Sequence, residues 1–586
     1  MAAKNTTANA ASHNRKFFCG GCGAWGNDVF ESFIEHKPIL ITLHSNVSRI
    51  STTFQSVTPT DSGTHYAGVK NLVTNTAEKI AWLIAAILFT WLLLFPLIGG
   101  LVVANDDLKF LRGELNVGSL ADNIRWSWLH TNSFRPLENI VAYFCNEQTL
   151  ACWPVVPLQL SGLTLIAFGV VALVRRVLPS APIAAPLILI WIFLSPSTMT
   201  ALWQMDTCSQ TWGAALGLWC VILCWDIFIA ARAGASIWTK MFALFALFVL
   251  VAIGMNIKET FFGWSASIGS GLILAIILGW KHNPRAPLRA AVALIPIALI
   301  PLIYLVIRYK FGGLGGVQSL EDNPEGRYQV GLGENLVNNI MMSAFGMFAN
   351  GPLHLFNNDA AMLPLRALPV LSGLAAGAMM IAAGALRVLH KKTPCNISLR
   401  VVLLAAAVCM FSIVVTLPMG SVSDLYGFGP NIGSGLLIVT AVLMLWNAID
   451  ENDRFIARGV GLCATLVLAA VGLYGVASRT YQFSLTWYYT RELNRIVLTH
   501  QASLPPQKPG EAPAYIYFPA SCYTGHIYGQ IMIRPLQSLS IQWMQEWLNK
   551  ADPKHPLQIV LQQQSSMRPG IDLVVDCSQF PKRQDW

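Results

Sequence analysis

Charge is what this sequence has least of. Only 12% of its 586 residues are Asp, Glu, Lys or Arg, whereas 54% are hydrophobic; a soluble domain carries about twice that charged share, near 25%. The deficit excludes an ordinary soluble protein. Apolar runs recur from Ile80 to Val476, and a run of about twenty residues, rising about 1.5 Å each, crosses about 30 Å of hydrocarbon. A concentrated basic patch is also missing. The net charge is +9, but Lys and Arg are scattered at the ends of the apolar runs, which excludes a nucleic-acid-binding stripe. Cofactor motifs are equally scarce. The pair Cys19 and Cys22 in FFCGGCG has no second CxxC to complete a four-Cys zinc site. GGLGG, Gly312 to Gly316, lacks the following Lys and Ser/Thr of a phosphate-binding loop and reads as a flexible connection. No short apolar leader is present either: the first apolar run starts at Ile80 behind a polar segment, so it reads as an uncleaved first span.

What the sequence does have is a succession of membrane spans. They are expected at 80–101, 155–174, 182–198, 211–231, 240–256, 261–280, 288–307, 363–386, 399–418, 430–449 and 457–477, about eleven in all. The fold class is therefore mainly α, a polytopic helical bundle. Lys and Arg favour cytoplasmic loops. Arg175 and Arg176, Arg232 and Lys240, Lys281 with Arg285 and Arg289, Arg387 with Lys391, Lys392 and Arg400, and Arg454 with Arg458 fall in every second loop. This alternation puts the N-terminal segment 1–79 in the cytoplasm, the membrane domain at 80–477 and the C-terminal segment 478–586 outside. In the tail, YIYFPAS and IDLVVDCS look like strands and LSIQWMQEWLNK like an amphipathic helix, which predicts a small α/β domain. Of the twelve Cys, Cys145 and Cys152 share the first outer loop and Cys522 and Cys577 the tail, where thiols are oxidised; spacing alone does not pair them. Cys208, Cys220, Cys224, Cys409 and Cys463 read as small buried apolar residues.

The polar residues that interrupt this pattern fall on the outer side. VVANDDLKFLRG puts Asp106 and Asp107 immediately after the first span, at the head of an outer loop of about fifty residues, a length that is often functional. LKFLRGEL and IRWSWLH in that loop are amphipathic and suit the membrane interface. The acid pair has two readings, a helix N-cap and a catalytic site, and one does not exclude the other. Arg135 in SFRPLENIVAYF precedes a proline that can open a helix, a position suited to an anion or to a lipid headgroup. Lys258 and Glu259 in GMNIKETFFGW lie between two apolar runs too close for an ordinary loop, so both belong at or just below the membrane surface. Charge at that depth is costly unless it is paired or lines a wet cavity. Asp206 in WQMD, and Asp424, Tyr426 and Asn431 in SVSDLYGFGPNIGSG, are candidates to contact substrate at the same mouth.

Taken in order, the outward acid pair, FRPL on a loop helix, an acid near the next outer turn and a KE turn between two spans resemble the GT-C superfamily of multispanning glycosyltransferases. The resemblance covers about residues 80–450. By general look it is nearest to the bacterial serotype-conversion glucosyltransferases that modify O-antigen, with the protein O-mannosyltransferases further off. It implies a polyprenyl-phosphate-linked sugar as donor, an envelope glycan or lipopolysaccharide as acceptor, and an inner-membrane location with the chemistry on the periplasmic face. It also implies Asp106 as general base, Asp107 as the second acid of the loop motif, and Arg135 and Lys258 as holders of the donor phosphate. Leu108, Lys109 and Phe110 depart from the superfamily's fuller DExRY-like pattern, so no particular sugar follows. No metal is assigned, since no His cluster accompanies the acid pair. A secondary transporter is the main alternative, although no internal repeat is evident. An O-antigen ligase or polymerase is another, but would be expected to carry Arg-rich outer loops.

Overall fold

The computed structural model describes residues 62–99, 119–122, 124, 155–203, 207–233, 237–258, 260–280, 285–311, 334–346, 371, 374–375, 398–417, 426–448, 470–474, 477, 480, 495–508, 510–517, 545, 549, 552–560 and 567–576. They are mostly helical. The helices of eight or more residues include α1 Ser62–Gly99, α2 Val155–Val177, α3 Ala184–Phe193, α4 Pro196–Trp203, α5 Cys208–Arg232, α6 Met241–Ile257, α7 Phe261–Trp280, α8 Leu294–Phe311, α9 Glu334–Phe345, α10 Leu399–Met410 and α11 Phe428–Ala448. Among the described residues, six helical segments are long and apolar enough to cross a membrane, or seven if the bent pair α3–α4 is one span.

This is fewer than the eleven spans expected. The segments 363–386 and 457–477 lie almost entirely outside the described residues. Two others are short: α6 has 17 residues, and α10 has 12 before a 3-10 turn at Phe411–Ile413. The expected single span 182–198 is instead two helices bent by 64°. Pro196 explains the break, because proline has no N–H to continue the ladder and disfavours helix at the residue before it.

The central helix α5 packs against α2, α6 and α7, and α11 packs against α3, α9 and α10. Phe242, Phe245 and Phe248 of α6, Ile273, Leu274, Ile277 and Leu278 of α7, and Leu299, Leu302, Ile303 and Val306 of α8 point outward and are exposed. Apolar surface this continuous has no place in water and is the surface lipid tails cover. The side chains of Cys208, Cys220, Cys224 and Cys409 are all buried.

Close approach between helices depends on glycine. A Cβ at Gly263 would overlap the backbone carbonyl of Ser412, and one at Gly217 the Trp264 indole. Such contacts let backbones meet where hydrophobic burial gives helices little reason to associate. At the basic end, α2 and α5 are joined by charge. Arg176 Nε and Nη2 donate to the two Asp226 oxygens at 2.8 and 2.7 Å, and Nη1 donates to the Ala172 carbonyl at 2.9 Å. Asp226→Leu alone, or Arg176→Met alone, is expected to destabilise the protein by about 1.5–3 kcal/mol, the range for hydrogen bonds to charged groups. The double replacement should recover much of the loss, because it leaves no unpartnered charge. Thermal unfolding of the four proteins in one detergent measures the cycle.

A small sheet lies near the C-terminus, with strands β1 Ala514–Tyr517, β2 Leu557–Val560 and β3 Leu573–Val574 in the order β2-β1-β3, both pairings parallel. YIYFPAS and IDLVVDCS thus each contribute a strand, and HPLQIV contributes one not foreseen. Gln545 and Asn549, one helical turn apart, bond the backbone at β2: Ile559 N–H donates to Gln545 Oε1 at 3.1 Å and Leu557 N–H to Asn549 Oδ1 at 2.6 Å. That occupies donors an edge strand would otherwise leave open. Two Pro-Gly turns frame the strands. Gly510 and Gly570 have φ of 91° and 77°, and Glu511 and Ile571 donate back to Lys508 and Arg568 at 3.1 Å each, the arrangement of type II turns.

Asp572 locks this sheet. Its side chain is fully buried and accepts from the Tyr515 N–H at 2.8 Å, from the Arg568 N–H at 2.7 Å and from Arg568 Nη2 at 2.8 Å. Burial pushes its pKa up, but the hydrogen bonds from Arg568 and from the two backbone N–H groups outweigh this and hold the carboxyl below its ordinary value. A lowered folded pKa contributes stability that is present above the unfolded value, about 3.9, and is lost as pH falls through the folded value. The sheet is therefore expected to be insensitive to pH from neutrality down to about pH 4 and to loosen below it. Exchange of the Tyr515 amide hydrogen, corrected for its intrinsic rate, should accelerate only in that acid range. Asp572→Asn should flatten the dependence.

Candidate functional site

The ends of α5, α7, α10 and α11 opposite the Arg176 end enclose a narrow cavity with about 30 Å³ of water-accessible volume. Its lining includes Gln210 from α5, Thr260 and Trp264 at the start of α7, Ser412 and Thr416 after α10, and Tyr426 before α11. No charged side chain is among the described lining residues. The polar groups are arranged unequally. Ser412 Oγ donates to the Cys409 carbonyl at 2.7 Å and Thr416 Oγ1 to the Ile413 carbonyl at 2.9 Å, so both hydroxyls offer the cleft acceptors. Gln210 is 6% exposed, and its Nε2 is a buried donor without a partner. An amide N–H left unpaired away from water costs about 1–3 kcal/mol, so this group is poised for an acceptor.

Lys258 reaches the same end through a tight hairpin. It follows α6 in extended conformation, φ −156° and ψ 141°, and only Lys258 to Thr260 separate α6 from α7. Gly254 permits this closeness, since a Cβ there would meet the Phe261 ring at 2.5 Å. Lys258 is 9% exposed and forms no ion pair with a carboxylate among the described residues. No family model, characterised protein or solved structure matches this chain. What the end of the bundle can do must therefore be argued from its own chemistry.

Of the residues singled out in the sequence, Lys258, Tyr426 and Asn431 are described. Tyr426 lines the cleft. Asn431, buried in α11, points into the break between α3 and α4, where its Nδ2 donates to Ser195 Oγ at 2.9 Å and Ser197 Oγ at 3.0 Å. Thr198 Oγ1 donates to the Ile192 carbonyl at 2.6 Å, which satisfies an acceptor the missing helical ladder leaves open. Asp106, Asp107, Arg135, Asp206, Glu259 and Asp424 lie outside the described residues, as do Cys19, Cys22, Cys145, Cys152, Cys522 and Cys577. Between α1 and α2, Ser119 and Asp122 form a reciprocal capping box: the Ser119 N–H donates to Asp122 Oδ2 at 3.1 Å and the Asp122 N–H to Ser119 Oγ at 3.2 Å. A helix thus opens just before IRWSWLH. Among the described residues no group of three or more His, Cys, Asp or Glu is arranged to hold a metal ion.

Sequence reasoning passed over Gln210, Thr260, Trp264, Ser412 and Thr416. Each is a small or neutral polar residue, or an aromatic, inside an apolar run, and such residues carry no spacing signal of their own. The break at Ser195 was signalled by Pro196, and the Arg176–Asp226 pair by a lone carboxylate within VILCWDIFIA.

Proposed function

We propose that this multi-pass membrane protein is an inverting glycosyltransferase. In this reading it moves a sugar, glucose by analogy with the nearest-looking subgroup, from a polyprenyl-phosphate donor to an envelope glycan such as O-antigen. The reaction takes place on the periplasmic face of the inner membrane, with the N-terminus cytoplasmic and the C-terminal segment periplasmic. The observation that supports it is Lys258. A buried ammonium that pairs with no carboxylate among the described residues is costly to maintain, and a lipid phosphate arriving from the bilayer would neutralise it at the mouth of the cleft. Arg135 would supply a second positive charge.

The chemistry asks little more. The acceptor hydroxyl oxygen attacks the anomeric carbon as Asp106 takes its proton. The bond from that carbon to the phosphate oxygen breaks, and the polyprenyl phosphate leaves with the electron pair. A phosphate leaving group needs positive charge, not protonation by a second acid, in contrast to the alcohol released in glycoside hydrolysis. Asp107, Glu259, Asp206, Asp424 and Tyr426 are then candidates to orient donor and acceptor, and Asn431 acts by holding the helix break beneath them.

The test is transfer of labelled sugar from a polyprenyl-phosphate donor to envelope glycan by membranes containing the protein. Sugar transfer with inversion at the anomeric carbon is expected. A second reading, a secondary transporter, is favoured by the bent α3–α4 pair, because broken helices recur at transporter binding sites. It predicts no transfer with any donor, together with solute flux in proteoliposomes.

A further inference from the structure

We infer that Trp203 is a positioning residue: its indole N–H docks the C-terminal end of α1 on α4, and so sets where the segment carrying Asp106 and Asp107 begins. The docking stands on the contacts themselves, and only its consequence for the acid pair rests on the glycosyltransferase reading. Pro96 is the reason a dock is needed. In an α-helix the Leu92 carbonyl takes its hydrogen bond from the N–H four residues on, and a proline at that place has none to give. Trp203 supplies one from outside the helix. Its Nε1–H donates to the Leu92 carbonyl oxygen at 3.3 Å, and both residues are almost fully buried, where an acceptor left without a partner is costly.

Two further features make this single bond matter. One is the thin seam that holds α1, for only 17% of its span is buried, against 61% in α5 and 72% in α11. Ala81, Ala85 and Leu92 form that seam, with Phe89 against Phe193 at 5.7 Å between ring centroids. The other is a firm support under Trp203. Two residues before it, the Ala201 carbonyl accepts from Thr207 Oγ1 at 2.6 Å. Thr207 accepts in turn from Gln159 Nε2 at 3.2 Å, and Gln159 Oε1 takes the Thr211 hydroxyl at 2.9 Å. These bonds tie α2, α4 and the start of α5 together, and α1 joins them through Trp203. Asp206 directly precedes Thr207, and Asp106 is seven residues past Gly99, so one cluster anchors the chain beside both acid-bearing segments.

Trp203→Phe keeps an aromatic ring but removes the donor, while Pro96→Ala returns an N–H to the helix itself. Hydrogen exchange of the intact protein in nanodiscs, read by mass spectrometry, separates the two effects. At residues 93–99 exchange is expected to speed up about tenfold in Trp203→Phe, the opening expected when one buried hydrogen bond is lost, and to stay within about twofold of native on α7 and α11. In the Pro96→Ala background the same replacement should change exchange there by less than about twofold, because the ladder is then continuous. Unaltered exchange at 93–99 in folded Trp203→Phe, or an equal increase in both backgrounds, overturns the docking and leaves Trp203 a packing residue. Where Trp203→Phe does not fold, rescue by Pro96→Ala decides: a double variant that folds supports the docking, and one that does not overturns it. Sugar transfer reads the consequence. Trp203→Phe should lower kcat about tenfold and keep the donor KM within about twofold, since a misplaced base slows the chemistry while the donor phosphate is held elsewhere. Unchanged kcat despite faster exchange overturns the positioning role. A native protein that transfers nothing sinks the glycosyltransferase reading, and the docking of α1 then stands or falls on exchange alone.

Discussion

Asp106→Asn is expected to lower sugar transfer by about 10²–10⁴-fold, the usual contribution of a positioned general base, with donor affinity within about twofold of the native protein. The substitution is nearly isosteric, so shape and one acceptor oxygen survive while the capacity to take a proton is lost. It also separates the two readings of the acid pair. Asn is as good an N-cap as Asp, so a residue that only starts a loop helix would lose neither fold nor transfer. The helix α1 runs to Gly99, and the pair follows it closely in sequence, so the comparison is made where the chain has just left its first membrane helix. Asp107→Asn is the natural companion: a full effect at Asp106 and a partial one at Asp107 would assign them as base and orienting acid. Full retained transfer by Asp106→Asn would remove the base assignment.

Lys258→Met should move stability and donor affinity in opposite directions. A methionine fills much of the same volume and brings no charge, and replacing buried charge by well-packed apolar groups is neutral or stabilising by about 1–4 kcal/mol. Thermal unfolding of the ligand-free protein should therefore be unchanged or shifted upward. Affinity for any prenyl phosphate, with or without a sugar, should fall by about 2–5 kcal/mol, the cost of truncating one partner of a buried charge pair. That amounts to a loss of about 30-fold to several thousandfold. A lysine with only a structural role gives the other pattern, lower stability and unaltered prenyl-phosphate binding. Lys258→Arg offers a further check, since it keeps the charge but enlarges the head group in a hairpin that Gly254 and Phe261 already close tightly.

The elements that were legible in the sequence are those whose identity depends on local periodicity. The helices α2, α5, α7 and α11 lie where uninterrupted apolar runs predict them, because a backbone in hydrocarbon must satisfy its own hydrogen bonds and does so as helix. The strand at Ala514–Tyr517 and the one at Leu573–Val574 likewise announce themselves by β-branched and aromatic residues. The strand at Leu557–Val560 does not, for it is short and its pairing partner is 43 residues earlier in register, Ala514 opposite Leu557. The number of spans is less legible for a related reason. An apolar run of 12 or 17 residues reads the same whether it crosses a bilayer or packs as a shorter helix in the bundle, and only its neighbours decide.

By itself the sequence determined that this is a multi-pass helical membrane protein, because the free energy of apolar surface depends on composition and length and on little else. It also marked Lys258 as a charge out of place, from nothing more than the shortness of the turn that carries it. The tertiary structure alone decided which polar groups meet. Asn431 was grouped with Tyr426 by proximity in the chain, yet one side chain holds the α3–α4 break while the other lines the cleft, since Tyr426 precedes α11 and Asn431 lies within its first turn. Gln210, Thr260 and Thr416 come from three separate segments, and nothing in their spacing links them. They share a cavity because glycines at 217 and 263 let α5, α7 and the turn after α10 approach closely, and hydrogen-bond complementarity exists only after that approach.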